Sequence, residues 1–502
     1  MITKQLLFTS LFLVLFSAQA QSNYDFEIDR NLKKILLKHK EFVSIPNLPE
    51  NKVHMFKNIT WVSRELNKLN FKVNVLASET LPVLFAEKNI DKDLKTVLFY
   101  FHLDGQPVNP KMWNQEDPFI PVLKERNEEG AFEEIDWSNL DKKIVDDWRI
   151  FGRAAADDKA PIIMLLSALE ILQNQKTKPT FNIKIVFDLE EEYGSYGFLS
   201  TIEKYKKIYA SDYFIIMDGP AHSSNKPTLT FGCRGIATCT ITTYGSKLPQ
   251  HSGHFGNYVS NPVFTLSHLL SSMKSESGKV LIKDYYKGIA ISDEVHEVLK
   301  NVPDNKEEMN RSLFIHTSEN VGNNYQEALQ YPSLNIRQIE TSWKGDKPKT
   351  IIPEFAKVNI DVRLVMETDG EQQLEKIKKH IKKQGFLLLD SVPTDSERLS
   401  NAKIVTFIGD KGVNAFRTNI GLEFGSLLQK EFKKTFKESP IIIRTMGGTV
   451  PIIPAIKVLD IPAIIVPMVN MDNNQHNPNE NIRIGNIRQG IKICLSIFNM
   501  KL

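Results

Sequence analysis

The sequence predicts an α/β fold with a mainly parallel sheet, interrupted by an inserted α+β domain. Three observations predict it. Short, wholly apolar runs alternate with helical patterns at both ends of the chain, as in βα units. Charged residues stand just after those runs, where open α/β sheets place their ligands. The middle of the chain changes to Thr-rich runs with strict alternation of apolar and polar positions, the period of half-buried strands. The 502 residues leave room for two or three domains of ordinary size. With 63 Lys plus Arg against 60 Asp plus Glu, the net charge of +3 gives no footing for nucleic acid or an anionic membrane. Twenty-four prolines and 25 glycines exclude collagenous and low-complexity architectures.

The first twenty residues read as an export leader. Lys4 supplies the positive end, Leu6 to Phe16 the apolar run, and Ser17-Ala18-Gln19-Ala20 the small-x-small cleavage pattern. That run is shorter than the ~20 residues a permanent span needs, so no stable membrane span is expected. The protein is expected to be exported, to a periplasm or out of the cell. Cys233, Cys239 and Cys494 are too few and too far apart for a disulfide framework and form no CxxC pair. They read as small buried hydrophobes, so any metal must be held by His and carboxylates.

Helical patterns follow at Ile28 to Val43 and Val53 to Leu69. TVLFYF (Thr96 to Phe101) is an apolar strand, and Pro161 to Leu172 a buried helix with proline in its first turn. IKIVF (Ile183 to Phe187), YFIIM (Tyr213 to Met217) and AIIV (Ala463 to Val466) are further strands, and Ile487 to Phe498 a closing helix. From Cys233 the chain turns to IATCTITTYG and later to the alternating Phe355 to Val365. Lys376, Lys378, Lys379, Lys382 and Lys383 surround Ile377 and Ile381, the pattern of an amphipathic helix with a solvated face. The expected division is a leader over 1–20, one half of the α/β domain over 21–232, the insertion over 233–400, and the second half over 401–502.

The residues at the strand ends converge on one chemistry. After TVLFYF come His102 and Asp104, after IKIVF come Asp188 and the triplet Glu190-Glu191-Glu192, and after YFIIM comes Asp218. His476 follows the last strand, and Asp157-Asp158 precede the buried helix. So many carboxylates at one edge repel unless a cation joins them. Two imidazoles with carboxylates and no thiolate suit zinc, manganese or cobalt better than magnesium or calcium. The surplus of acids fits a pair of ions about 3.5–4 Å apart, bridged by a carboxylate and a water.

HLDGQPV (His102 to Val108), DPF (Asp117 to Phe119), FGRAAADDK (Phe151 to Lys159), LEEEYGS (Leu189 to Ser195), HSGHFGN (His251 to Asn257), GGTVP (Gly447 to Pro451) and HNPNE (His476 to Glu480) stand in a telling order. Together they resemble the co-catalytic metallopeptidases of the carnosinase, aminoacylase and glutamate carboxypeptidase family, nearest to the carnosinase-like dipeptidases. The likeness runs from about Leu32 to the C-terminus. It implies a mainly parallel-sheet zinc-peptidase catalytic domain interrupted by a lid domain used for dimerisation, hence a homodimer. It implies two divalent ions per chain, with zinc first and manganese or cobalt as alternatives. His102 and Asp218 would hold one ion, Glu192 and His476 the other, with Asp157 bridging. Glu191 would be the general base and Asp104 would orient His102. The residues alone leave the register of the glutamate triplet open; the resemblance selects Glu191-Glu192, just before Tyr193-Gly194-Ser195. His251 resembles a histidine that reaches across the dimer to the partner's substrate, and Arg363, in VRLV, one that binds the substrate carboxylate.

The implied reaction is hydrolysis of the amide bond of dipeptides or other short peptides with a free carboxylate. An N-acyl-amino-acid deacylase using the same centre is the alternative. An exported binding protein with a dead peptidase fold is the non-enzyme reading, against which stand Glu191 and all five ligand residues. Two departures stand out. Ala154 and Ala160 replace glycines of the pattern, and Thr445-Met446 replace the Arg-Glu that precede the glycine pair in the carnosinase-like members.

Overall fold

Four parallel neighbours form the middle of the principal sheet and place their carboxyl ends at one edge. The computed structural model in which they are seen describes residues 24–502, so the predicted leader over 1–20 lies outside the described residues. The chain divides into two compact units. Among the described residues the first runs up to Phe231 and takes in Thr418–Ile442 and Pro454–Leu502, and the second comprises Gly232–Arg417 and Ile443–Ile453.

In the first unit, eight strands lie in the order Lys72–Leu76, Val83–Lys88, Asn182–Asp188, Thr96–His102, Tyr213–Ile216, Ala463–Ile465, Thr228–Thr230 and Ile441–Ile443. The four from Asn182–Asp188 to Ala463–Ile465 are mutually parallel; Val83–Lys88 runs antiparallel to both its neighbours, and Thr228–Thr230 antiparallel to Ala463–Ile465. Thr96–His102 is buried from Val97 onward, as expected of a central strand covered on both faces. Phe99 packs against Phe181 and Phe498 with ring centres 6.3 and 5.8 Å away. Helix Lys159–Asn174 and the closing helix Ile484–Phe498 meet tightly: a Cβ on Gly490 would stand 2.1 Å from Met164 Sδ, so any larger residue there would force Met164 to move.

A smaller sheet decides where the loops go. Val122–Arg126, Phe132–Ile135, Arg149–Phe151 and Asn481–Arg483 form four antiparallel strands, with Asn481 opposite Phe151. The loop after Phe151 and the loop before Asn481 therefore leave the sheet at the same end. The helix over 24–43 feeds a loop that supports the site from below. Asn47 donates to Leu103 O at 2.9 Å and accepts the Gly105 N–H at 3.1 Å. Lys159, fully buried, caps the end of that helix by donating to the carbonyls of Phe42 and Ile45.

The second unit holds a five-stranded sheet in the order Asn335–Thr341, Phe355–Leu364, Gly235–Tyr244, Ile404–Val413 and Leu387–Leu389. Helices Pro262–Met273 and Gly370–Lys383 bury Leu266, Leu269, Leu374, Ile377 and Ile381 against one face of it, the lysines remaining outside. The expected edge of the insertion lay at 400. Ile404–Val413 pairs along Gly235–Tyr244, so these residues fall in the second unit, as does the short segment Ile443–Ile453. All three cysteines are buried and unbonded. No helix among the described residues is long and apolar enough to cross a membrane.

Candidate metal centre

His102 is the last residue of its strand, Asp218 follows Tyr213–Ile216 by two, and Asp188 ends the strand that leads into the glutamate triplet. The small sheet delivers the Asp157 and His476 loops to the same edge. All seven residues expected at the centre of the site, Asp104 and Glu191 among them, lie in the first unit.

Asp157 stands between two imidazoles. Its Oδ1 lies 2.8 Å from His102 Nε2, and its Oδ2 lies 3.2 Å from His476 Nε2. His476 Nε2 is also 3.2 Å from Glu192 Oε2. Donor atoms of Asp157, Glu192 and His476 lie within 4.8 Å of one another, and so do those of His102, Asp158 and Asp218. One carboxylate with an oxygen toward each histidine is the arrangement a bridging ligand requires. Asp158 joins the His102 side unexpectedly: its Oδ2 accepts the His102 backbone N–H at 3.2 Å, while its buried Oδ1 has no partner. Two imidazoles, a bridging carboxylate, flanking carboxylates and an orphaned buried oxygen fit a pair of divalent ions.

The glutamate triplet divides its work. Glu190 Oε2 accepts the Thr80 hydroxyl and the backbone N–H groups of Leu81 and Gly197, which fixes it to the framework. A Cβ on Gly197 would sit 2.4 Å from Leu81 O, so the turn depends on glycine at that contact. The buried Asp104 carboxylate accepts the N–H groups of Glu191 and Glu192, each at 3.0 Å, and stands 3.4 Å from His102 Nδ1. One residue thus orients an imidazole, its carbonyl 3.2 Å from His102 Nδ1, and with its carboxylate the turn carrying both remaining glutamates. Gln106 Nε2 holds Glu192 Oε2 at 2.7 Å.

Electrostatics express the crowding. Burial, reinforced by the Asp157 charge, pushes Asp218 up to about 6 and Glu192 up to about 7. Burial also raises Glu191 well above the carboxylate range; His102 opposes that shift, and Asp218, Glu192 and Asp157 add to it. Burial alone would lower His102, but its bonds to Asp104 and Asp157 carry it well above its ordinary value. The hydrogen bond to Asp157 lifts His476 to about 9. Protons held by such a cluster are those that bound cations displace.

The sequence reading assigned no role to Glu480. Fully buried, it accepts Arg153 Nη1 at 2.8 Å and the backbone N–H groups of Ala154, Ala156 and Asp157, each at 2.9 Å. Its carboxylate holds the turn that presents Asp157, including Ala154 at φ 61°, a left-handed position where the resembling family carries glycine. His476 itself sits at φ 65°. Strained backbone of this kind costs about 1–3 kcal/mol and persists where neighbours over-determine it. Glu480→Gln places an amide where four donors converge, and is expected to weaken metal affinity about 10–100-fold, the usual effect of losing a ligand's support. Competition with a calibrated chelator checks this; unchanged affinity would remove the role from Glu480.

His251 and Arg363 belong to the second unit. His251 is exposed, accepts the Gly253 N–H at 3.0 Å and lies against His254, the rings tilted with centres 4.8 Å apart. Arg363 donates to Thr449 Oγ1 at 2.9 Å and stands 3.9 Å from Asp361.

A family model described as peptidase family M20/M25/M40 matches residues 98–499. The Cys-Gly metallodipeptidase dug1 of Schizosaccharomyces pombe is 25% identical over 420 residues, covering 82% of this chain and 81% of its own. The Beta-Ala-His dipeptidase of Homo sapiens is 26% identical over 426 residues, 83% of this chain and 77% of its own. Two solved structures share the fold: human carnosine dipeptidase 1, with TM-score 0.73, 23% identity and coverage of 96% and 98%, and the metallo-carboxypeptidase Sso-CP2 from Sulfolobus solfataricus, with TM-score 0.73, 24% identity and coverage of 93% and 99%.

Proposed function

The chain belongs to peptidase family M20/M25/M40 and is a metallopeptidase, and from that premise we propose that it is an exported, dinuclear dipeptidase acting on short peptides with a free carboxylate. The observation that carries the reading is Asp157, with one carboxylate oxygen toward each histidine and the half-buried Glu191 within electrostatic reach of the pair.

His102, Asp157 and Asp218 would hold one ion, and Asp157, Glu192 and His476 the other, zinc first by donor chemistry with manganese or cobalt as alternatives. When bound, such ions supply a water that ionises near neutral pH and an electrophile for the amide oxygen. Glu191 takes the proton of the attacking water and returns it to the leaving nitrogen. Asp104 keeps Glu191 and His102 in register by holding two backbone N–H groups and facing one imidazole nitrogen. We assign His251 to the developing oxyanion of the partner subunit's substrate, in a homodimer formed through the inserted unit. Arg363 we assign to the substrate carboxylate. The leader over 1–20 underlies the proposed export, to a periplasm or the medium.

The experiment that tests this is hydrolysis of a panel of dipeptides, a tripeptide and N-acetyl amino acids by the full chain, loaded in turn with zinc, manganese and cobalt. Dipeptides are expected to be cleaved fastest. Preference for N-acetyl amino acids would move the reading to a deacylase, and full activity after exhaustive chelation would end the metal mechanism.

A further inference from the structure

The second unit contains a buried guanidinium that has no counter-ion. Arg234 stands just before the strand Gly235–Tyr244 and is only 7% exposed. Its Nη2 donates to the Tyr331 carbonyl at 2.8 Å, but its Nε is buried without an acceptor. Among the described residues no carboxylate lies within 4.0 Å of it. A buried charge lacking a partner is costly, and a site that waits for an anionic ligand is one place where that cost is tolerated.

The neighbourhood is arranged for such a ligand. Ile236 lies opposite Arg363 in the antiparallel pair with Phe355–Leu364, which brings the start of that strand, and Arg234 just before it, beside the end that carries Arg363. Thr449 joins them. Its hydroxyl has one proton, which it gives to Arg234 O at 2.6 Å, leaving a lone pair for Arg363 Nη1 at 2.9 Å. Arg234 N in turn donates to Met446 O at 3.1 Å, stitching the GGTVP loop to the strand start. The acid nearest to Arg363 is Asp361, 3.9 Å from its Nε and already accepting Asn335 Nδ2 at 2.9 Å. Burial, and after it the charge of Arg363, bring Arg234 down to about 10, Asp361 opposing the shift.

We propose that Arg234 and Arg363, tied to each other through Thr449 at the Arg234 backbone, form a paired-guanidinium site for the free carboxylate of the substrate, Arg234 supplying its buried half. The inference rests on the peptidase reading above and adds a second specificity residue to it. A carboxylate offers two charged oxygens, enough for two guanidiniums; a carboxamide offers one uncharged oxygen and brings two protons toward the cations.

The test compares alanyl-leucine with alanyl-leucinamide on the metal-loaded full chain. Arg234→Gln is expected to reduce the preference for the acid about 10- to 100-fold, through KM more than kcat, the scale of one charge-assisted contact. Arg234→Lys is expected to restore only part of it, because an ammonium cannot reproduce the fork. Combined with Arg363→Ala, the loss should fall short of the product of the single losses, since both groups hold one carboxylate. If Arg234 merely tethers the Tyr331 carbonyl, acid and amide suffer equally, and that result overturns the proposal. Should Arg234→Gln fail to fold, the acid-to-amide ratio of Arg234→Lys decides in the same way. A wild-type chain that cleaves no peptide defeats the peptidase reading instead. Saturation-transfer NMR with propionate on the metal-free chain then decides the anion site by itself: signal lost in Arg234→Lys supports it, and signal absent from wild type overturns it.

Discussion

Replacing Glu191 by Gln is expected to leave bound metal unchanged while turnover falls by at least ~10²–10⁴-fold. The substitution keeps the shape of the side chain, and the backbone N–H that fixes the turn still reaches Asp104. Only the capacity to take and return a proton is lost. Glu192→Gln should behave differently, because Glu192 Oε2 lies 3.2 Å from His476 Nε2 within the second donor group; there, metal should leave with activity. Metal analysis beside single-turnover kinetics separates the two variants. If Glu191→Gln emptied a position and Glu192→Gln did not, the roles along the triplet would have to be exchanged. Mixing Glu191→Gln chains with His251→Ala chains extends the test to the proposed dimer. Only one site of a mixed dimer pairs an intact Glu191 with an intact His251, and failure to recover any activity in dimers shown to exchange would remove His251 from the partner's reaction.

Asp157→Asn should be the most damaging single change to metal binding. The carboxylate faces both histidines, so the loss of its charge weakens both donor groups at once. Activity is expected to vanish and most metal to be lost, whereas His476→Ala should forfeit chiefly the ion on its own side. Thermal stability provides an independent reading. Ions that bind only the folded chain stabilise it by about 2.7 kcal/mol at a hundredfold excess over Kd, which for a domain of this size raises the midpoint by roughly 2–4 °C per kcal/mol. That rise should be present in wild type and nearly absent in Asp157→Asn. A variant that kept the full metal-dependent rise would show that Asp157 does not bridge.

Much of this was legible before any coordinates. The central strands are mostly apolar, so their limits and the acids just beyond them could be read directly, and the position of ligands at strand ends follows from the topology of such sheets. The residues alone could not settle which glutamates of the triplet face the site; the hydrogen bonds of Glu190 to Leu81 and Gly197 give the framework one and leave the others. Glu480 and Gln106 were both inside recognisable blocks, yet nothing in a loop's periodicity tells an acid that cradles four donors from one that faces water. Arg234 left still less trace, because an arginine at a strand start is ordinary until its Nε proves buried and unpartnered. The edge of the insertion shifted for a related reason. Whether Ile404–Val413 belongs with one sheet or another depends on partners far away in the chain, which no local pattern records.

The Glu480 carboxylate closes on Ala156 across 324 residues of chain. During synthesis the strands up to Tyr213–Ile216 and the Glu191 turn are made well before His476 and Glu480, so the Asp157 turn lacks its buried carboxylate partner until the segment carrying both has emerged. On the proposed role of His476, fragments that stop short of the segment pairing the small sheet should be inert toward the peptides around them.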